Sequence, residues 1–152
     1  MNDDMTITKL LSVAVLSLTG LTARCQGDPA IIQIEFTSLT RGYNEVINFS
    51  PDSLVQVTDK REHQQKIFKR ALKPDEWNDL ISSTAGVSLK DISQLLSPTA
   101  KRAFDGAKHS TITIHTKDGA TYTHAFDNEH PHEKLQPLMD MIKTMSSPGN
   151  DD

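Results

Sequence analysis

Residues 110–126 constrain the fold of this chain more than any other stretch. They read Ser-Thr-Ile-Thr-Ile-His-Thr, then Lys-Asp-Gly, then Ala-Thr-Tyr-Thr-His-Ala-Phe. Two alternating β-prone runs around an Asp-Gly pair are the strongest short-range signal of a β-hairpin. The faces decide the loop length. A two-residue loop, Asp118-Gly119, pairs Ile114 with Thr123 and Ile112 with Ala125, and sends Tyr122 and Phe126 to the other side. A three-residue loop over 117–119, with Gly119 left-handed, pairs Ile114 with Tyr122 and Ile112 with His124. That register gathers Ile112, Ile114, Tyr122 and Phe126 on one apolar face, whereas a slip of one residue scatters them. The bulged turn is the expectation, with His124 on the apolar face and His115 on the opposite one.

The remaining elements can be placed around that hairpin. Residues 31–37 alternate, with Ile32, Ile34 and Phe36 on one face, and predict a first strand. A polar connection with Gly42 leads to a second strand over 43–49, where Tyr43, Ile47 and Phe49 align and Glu45 shares their side. Ser50-Pro51-Asp52-Ser53 has turn chemistry. Residues 54–58 and 66–72 predict two more strands joined by a charged loop. Pro74, Asp75 and Glu76 open a helix in which Trp77, Leu80 and Ile81 form the buried stripe. Trp77, the only tryptophan, reads as a core anchor between helix and sheet rather than a binding platform. Residues 85–107 carry a short helical turn within 89–96 and a connection with a second possible turn over 99–104. A final helix carries Leu135, Leu138, Met139, Ile142 and Met145 on one side, and Pro137 must fall in its first turn. The order is β-β-β-β-α-β-β-α. The expected fold class is α+β, an antiparallel sheet built from hairpins with two main helices packed on one face.

Length, charge and cysteine usage bound what such a domain can do. The chain has 152 residues, enough for one domain plus a terminal segment. A net charge of -4 and a pI near 5.8, with no basic stripe, argue against nucleic acid as a partner. Lys66, Lys69 and Arg70 cluster, but acidic neighbours make them a solvated strand face. Lys9 and the apolar run after it form the charged and hydrophobic parts of a secretory signal peptide, too short for a stable membrane span. Asp3 and Asp4 depart from the pattern, and a start at Met5 would remove them. Cys25, the single cysteine, stands where a bacterial lipoprotein carries its lipid-modified residue, although Arg24 before it departs from that signal. A cut after Gly27 is the other option. The expected organisation is a signal peptide over 1–27, of ordinary or lipoprotein type, a single domain over 28–146 and a disordered tail over 147–152. The chain is then exported, and periplasmic, outer-membrane-anchored through Cys25, or secreted. A lone cysteine also excludes an internal disulfide, a thiolate metal site and thioredoxin-like chemistry.

Two residue sets are candidates for chemistry. Asp127, Glu129, His130 and His132 combine imidazoles with carboxylates, which suit a divalent metal such as zinc or copper. The competing and favoured reading of that set is a solvated loop capping the last helix. Arg41, Tyr43, Asp105 and His109 form a second, scattered polar set. An Arg–Asp pair there could bind a carboxylate or phosphate, and more readily clamps two loops together. The chain contains no glycine-rich phosphate loop, nucleophile elbow or His-Glu-x-x-His helix. Catalysis is therefore not expected. The two ends of the hairpin, 104–109 and 126–132, lie side by side, which makes them the first place to look for a site.

Several segments together carry a resemblance. They are Ser38-Leu39-Thr40-Arg41-Gly42-Tyr43, Trp77, residues 101–109, and Phe126-Asp127 leading into His-Pro. The chain resembles an uncharacterised family of small exported or lipoprotein domains of Bacteroidota-type bacteria, over residues 31–145. The resemblance implies localisation and fold but no mechanism. In layout alone the chain is also similar to emfourin-like inhibitors of thermolysin-type proteases, and layout transfers no inhibitory residue. The resulting expectation is a non-catalytic exported binding module for a protein or small ligand. The alternatives are divalent-metal binding at residues 127–132 and a protease-inhibitor-like domain.

Overall fold

The computed structural model describes residues 29–60, 64–101 and 107–146. The expected signal peptide with Cys25, the expected tail and candidate Asp105 lie outside the described residues. Six strands form one antiparallel sheet in the order β4-β3-β2-β1-β5-β6. They are β1 (Ile31–Thr40), β2 (Tyr43–Ser50), β3 (Ser53–Lys60), β4 (Gln64–Ala71), β5 (His109–Thr116) and β6 (Thr121–Asp127). The helices are α1 (Pro74–Ser82), the single turn α2 (Leu89–Ile92) and α3 (Gln136–Ser146), the last preceded by a tight turn over Glu133–Leu135. This is an α+β molecule dominated by its sheet.

Side-chain alternation explains where the core lies. Ile34 and Phe36 of β1, Ile47 and Phe49 of β2, Leu54 of β3, Ile112 and Ile114 of β5 and Phe126 of β6 are all buried. They join Trp77, Leu80, Leu89, Ile92, Leu135, Leu138, Met139 and Ile142 in a single apolar cluster. The alternate residues, such as Glu35, Val46 and Thr113, remain partly exposed. Burial of so many large side chains supplies the main driving force for folding.

The β5–β6 hairpin has the bulged turn. Gly119 takes φ +85° and donates its N–H to the Thr116 carbonyl at 2.9 Å. Ile114 pairs with Tyr122 and Ile112 with His124. Asp118 Oδ1 closes the loop by accepting from Thr116 Oγ1 at 2.6 Å and from the Ala120 N–H at 3.2 Å.

The start of β1 differs from expectation. The β1–β5 register shifts between Ile31 and Gln33. This bulge inserts a residue and reverses the alternation, so Ile31 packs against the core while Ile32 is 45% exposed. At the other end of the sheet, Arg70 Nη1 of β4 donates to both carboxylate oxygens of Glu76 at 3.0 Å. Glu76 Oε2 also accepts the Lys73 N–H at 2.8 Å, which fixes the start of α1.

Candidate functional site

A polar cleft lies between the sheet and α3. Strand β2 contributes Tyr43, Glu45 and Ile47, which point the same way because they are two residues apart. Phe36 and Gln56 enter from the neighbouring strands, directly opposite Ile47 on either side. Helix α3 contributes Met139, Ile142, Lys143 and Ser146, whose spacing of three, one and three residues places them on one helical stripe. Together with Glu129 these residues enclose about 370 Å³. Phe36, Ile47, Met139 and Ile142 form the floor and are almost fully covered, so the accessible wall is chiefly polar.

Glu129 owes its position to an unusual turn. Asn128 adopts φ 55°, a left-handed conformation that asparagine tolerates better than most residues. Its N–H donates to the Lys108 carbonyl at 2.8 Å, and its Oδ1 accepts the Lys108 N–H at 3.1 Å. Its carbonyl accepts the Ser110 hydroxyl. These bonds tie the exit of β6 to the residues before β5 and bring Glu129 into the cleft. There Glu129 pairs with Lys143 at 2.8 Å and with Lys108 at 3.7 Å. The Lys108 ammonium also sits 4.8 Å from the centre of the Tyr43 ring, a cation–π geometry.

The electrostatics follow from this arrangement. Burial, the charge of Glu45, a hydrogen bond to Glu45 and the charge of Glu129 push the Tyr43 hydroxyl up to about 12. Hydrogen bonding to Lys143 holds the Glu129 carboxyl below the usual carboxylate range, against an opposing push from burial, and Lys108 adds to the lowering. Gln56 Nε2 donates to Glu45 Oε1 at 2.8 Å. The other end of that amide, Gln56 Oε1, is buried and has no hydrogen-bond partner among the described residues. Gln56 also borders a second hollow of about 470 Å³, lined by Thr58, Lys66, Ile67 and Phe68 on the side toward β4.

The proposed metal set is not assembled. No group of three or more His, Cys, Asp or Glu side chains among the described residues could hold a metal ion. Asp127 is fully buried, and its Oδ2 accepts from Thr99 Oγ1 at 2.5 Å and the Lys101 N–H at 2.6 Å. It therefore anchors the segment that leads out of α2. His130 is exposed. His132 Nδ1 accepts the Lys134 N–H at 3.3 Å and caps the turn before α3. Glu129 is the member of that set that reaches the cleft. The physical reason is local: strand alternation, the left-handed Asn128 and the cap send the four side chains to different surroundings.

Tyr43 is the member of the second set found in the cleft. Arg41 is exposed in the β1–β2 turn, and His109 is exposed at the start of β5, opposite Asp127. His124 is buried and stacks on Phe126 at 5.4 Å, and its Nε2 accepts the His132 N–H at 3.2 Å. It acts as a hydrogen-bonded core histidine that joins β6 to the following loop. The sequence reading did not single out Gln56, Lys108, Lys143 or Ser146 as site residues. The usable signal was Glu45, a carboxylate on the apolar face of a strand. Comparison with known proteins returns no match, whether to a family model, a curated protein or a solved structure. Among the described residues no helix is long and apolar enough to cross a membrane.

Proposed function

We propose that this chain is a non-catalytic binding module whose ligand seat is the cleft between β2 and α3. The observation that carries the reading is the cleft itself, a volume of about 370 Å³ with an apolar floor and a polar wall. That size falls at the lower end of small-molecule sites. The polar groups in it are committed to binding-type roles. Tyr43 stays protonated over the physiological range and supplies a donor, not a base. The Ser146 hydroxyl donates to the Ile142 carbonyl at 2.6 Å, and no base among the described residues is bonded to it. Glu129 is neutralised by lysines. In this reading α1 and α3 share one sheet face, and the cleft is the part of that face the helices leave open.

The test is an amide-resonance screen of the protein with a library of small polar compounds. Binders should shift resonances of β2, β3 and the second half of α3. Hits that cluster on another surface would sink the assignment. We also propose that the module is exported, on the strength of the leader-like residues before Asp28. Cell fractionation that finds the protein only in the cytoplasm would remove that part and leave the cleft reading intact.

A further inference from the structure

The charges in the cleft are unevenly satisfied, and that imbalance points to a class of ligand. Glu129 already lies between two ammonium groups, Lys143 at 2.8 Å and Lys108 at 3.7 Å. Lys143 carries a further interaction as well. An incoming anion would have to compete with Glu129 for both lysines. Glu45 has no cationic partner among the described residues. Its neighbours are neutral donors, the Gln56 amide at 2.8 Å and the Tyr43 hydroxyl. Gln56 Oε1 is buried, out of reach of a ligand, and has no hydrogen-bond partner among the described residues. Turning the amide over would set that oxygen against the Glu45 carboxylate, two acceptors face to face, so Nε2 is the end that faces Glu45. A carboxylate whose hydrogen bonds come from neutral donors alone keeps its full charge, and a cation entering the cleft can pair with it.

We infer that the cleft recognises a compact primary ammonium group, seated against Glu45, whose carboxylate Gln56 holds in place. An ammonium offers three donors and no acceptor, which suits a carboxylate with lone pairs left over from Gln56 and Tyr43. The nearly covered floor leaves little apolar surface for a long hydrocarbon body, so the head group dominates recognition. The same chemistry is presented by a free amine and by a lysine side chain. This inference rests on the cleft being the binding site.

The experiment titrates the full chain with n-butylammonium, Nα-acetyl-lysine amide, butyrate and 1-butanol, following amide resonances. The ammonium probes should shift β2, β3 and α3, and butyrate should not. The tighter of the two ammonium probes identifies the source, free amine or lysine side chain. Glu45→Gln should weaken ammonium binding roughly tenfold or more, the scale for losing a charge-assisted hydrogen bond. Gln56→Leu, which keeps the carboxylate, should weaken it by less. Glu35→Gln, a charge-matched change on the opposite sheet face, serves as the control and should leave binding unaltered. The inference falls if butyrate binds as well as butylammonium, or if Glu45→Gln binds it undiminished while circular dichroism shows an intact fold. The two readings fail differently. Butyrate or butanol shifting the cleft without the amines overturns only the ammonium preference, whereas no probe reaching the cleft overturns both.

Discussion

Tyr43 carries a signature that solution work can read directly. Its hydroxyl is held up to about 12 by burial first and by Glu45 and Glu129 after it. In a Tyr122→Phe variant Tyr43 is the only tyrosine left. Ultraviolet titration of that variant should give a midpoint near 12, and adding Glu45→Gln should move it down without returning it to the ordinary value, because burial persists. A midpoint near 10 in the parent variant would mean the hydroxyl is neither buried nor seated against Glu45. The sign for stability follows from linkage. A group whose folded value is raised contributes stability that is complete below its unfolded value, near 10, and lost as pH climbs toward about 12. Tyr43→Phe should flatten that alkaline decline. Glu45 also shows what a single residue can disclose in advance. A carboxylate beside Tyr43, Ile47 and Phe49 weakens a strand assignment based on alternation alone, yet it marks where the apolar face gives way to a polar cleft. Lys143 and Ser146 gave no such sign, since polar residues at the edge of a helical stripe are ordinary.

At the scale of elements, the β5–β6 hairpin was the most legible part because its determinants are adjacent in sequence. Turn chemistry and face alternation both demand the same register, and two independent constraints leave one solution. Gly119 tests that account. Its φ of +85° disfavours any side chain, but a β-carbon placed there meets no atom within 4 Å. The cost of Gly119→Ala is therefore a backbone cost alone, about 1 kcal/mol, and Gly119→Asn should cost less because asparagine tolerates the left-handed region. Urea unfolding checks both. Equal stability for the alanine variant and the parent would mean the turn relaxes to another form. The Asn128 turn was not legible in the same way. Its left-handed residue is fixed by Lys108 and Ser110, some twenty residues earlier in the chain, and nothing within the run from Asp127 to His132 states that dependence. The metal reading arose there because proximity in sequence was the only geometry available. The bulge that turns Ile32 outward escaped notice for a related reason: it belongs to the pairing of β1 with β5, not to β1.

Across the whole molecule, a single sheet with β4 and β6 as its edge strands must be prevented from adding strands of other copies. The two edges are managed differently. On β6 the Thr123 N–H, on the side away from β5, donates to Ser93 Oγ at 3.2 Å, so the end of α2 covers part of that edge. No comparable cap appears on β4 among the described residues. Instead β4 presents Lys66 and Lys69 on either side of Ile67, which is 57% exposed. The basic cluster that argued for a solvated strand face thus has a structural role as well: desolvating two ammonium groups opposes edge-to-edge pairing, where the bare backbone would favour it. Replacing both charges, Lys66→Val with Lys69→Val, leaves a continuous apolar edge at 66–69 with high strand propensity. The double variant should keep the parent's circular dichroism spectrum and shift toward larger species in sedimentation velocity as concentration rises. Adding Ile67→Lys to it should restore the parent's behaviour, because one inserted charge is enough to interrupt such a run. If the double variant sediments as the parent does at every concentration, charge is not what protects this edge, and the protection must come from the twist of the strand itself.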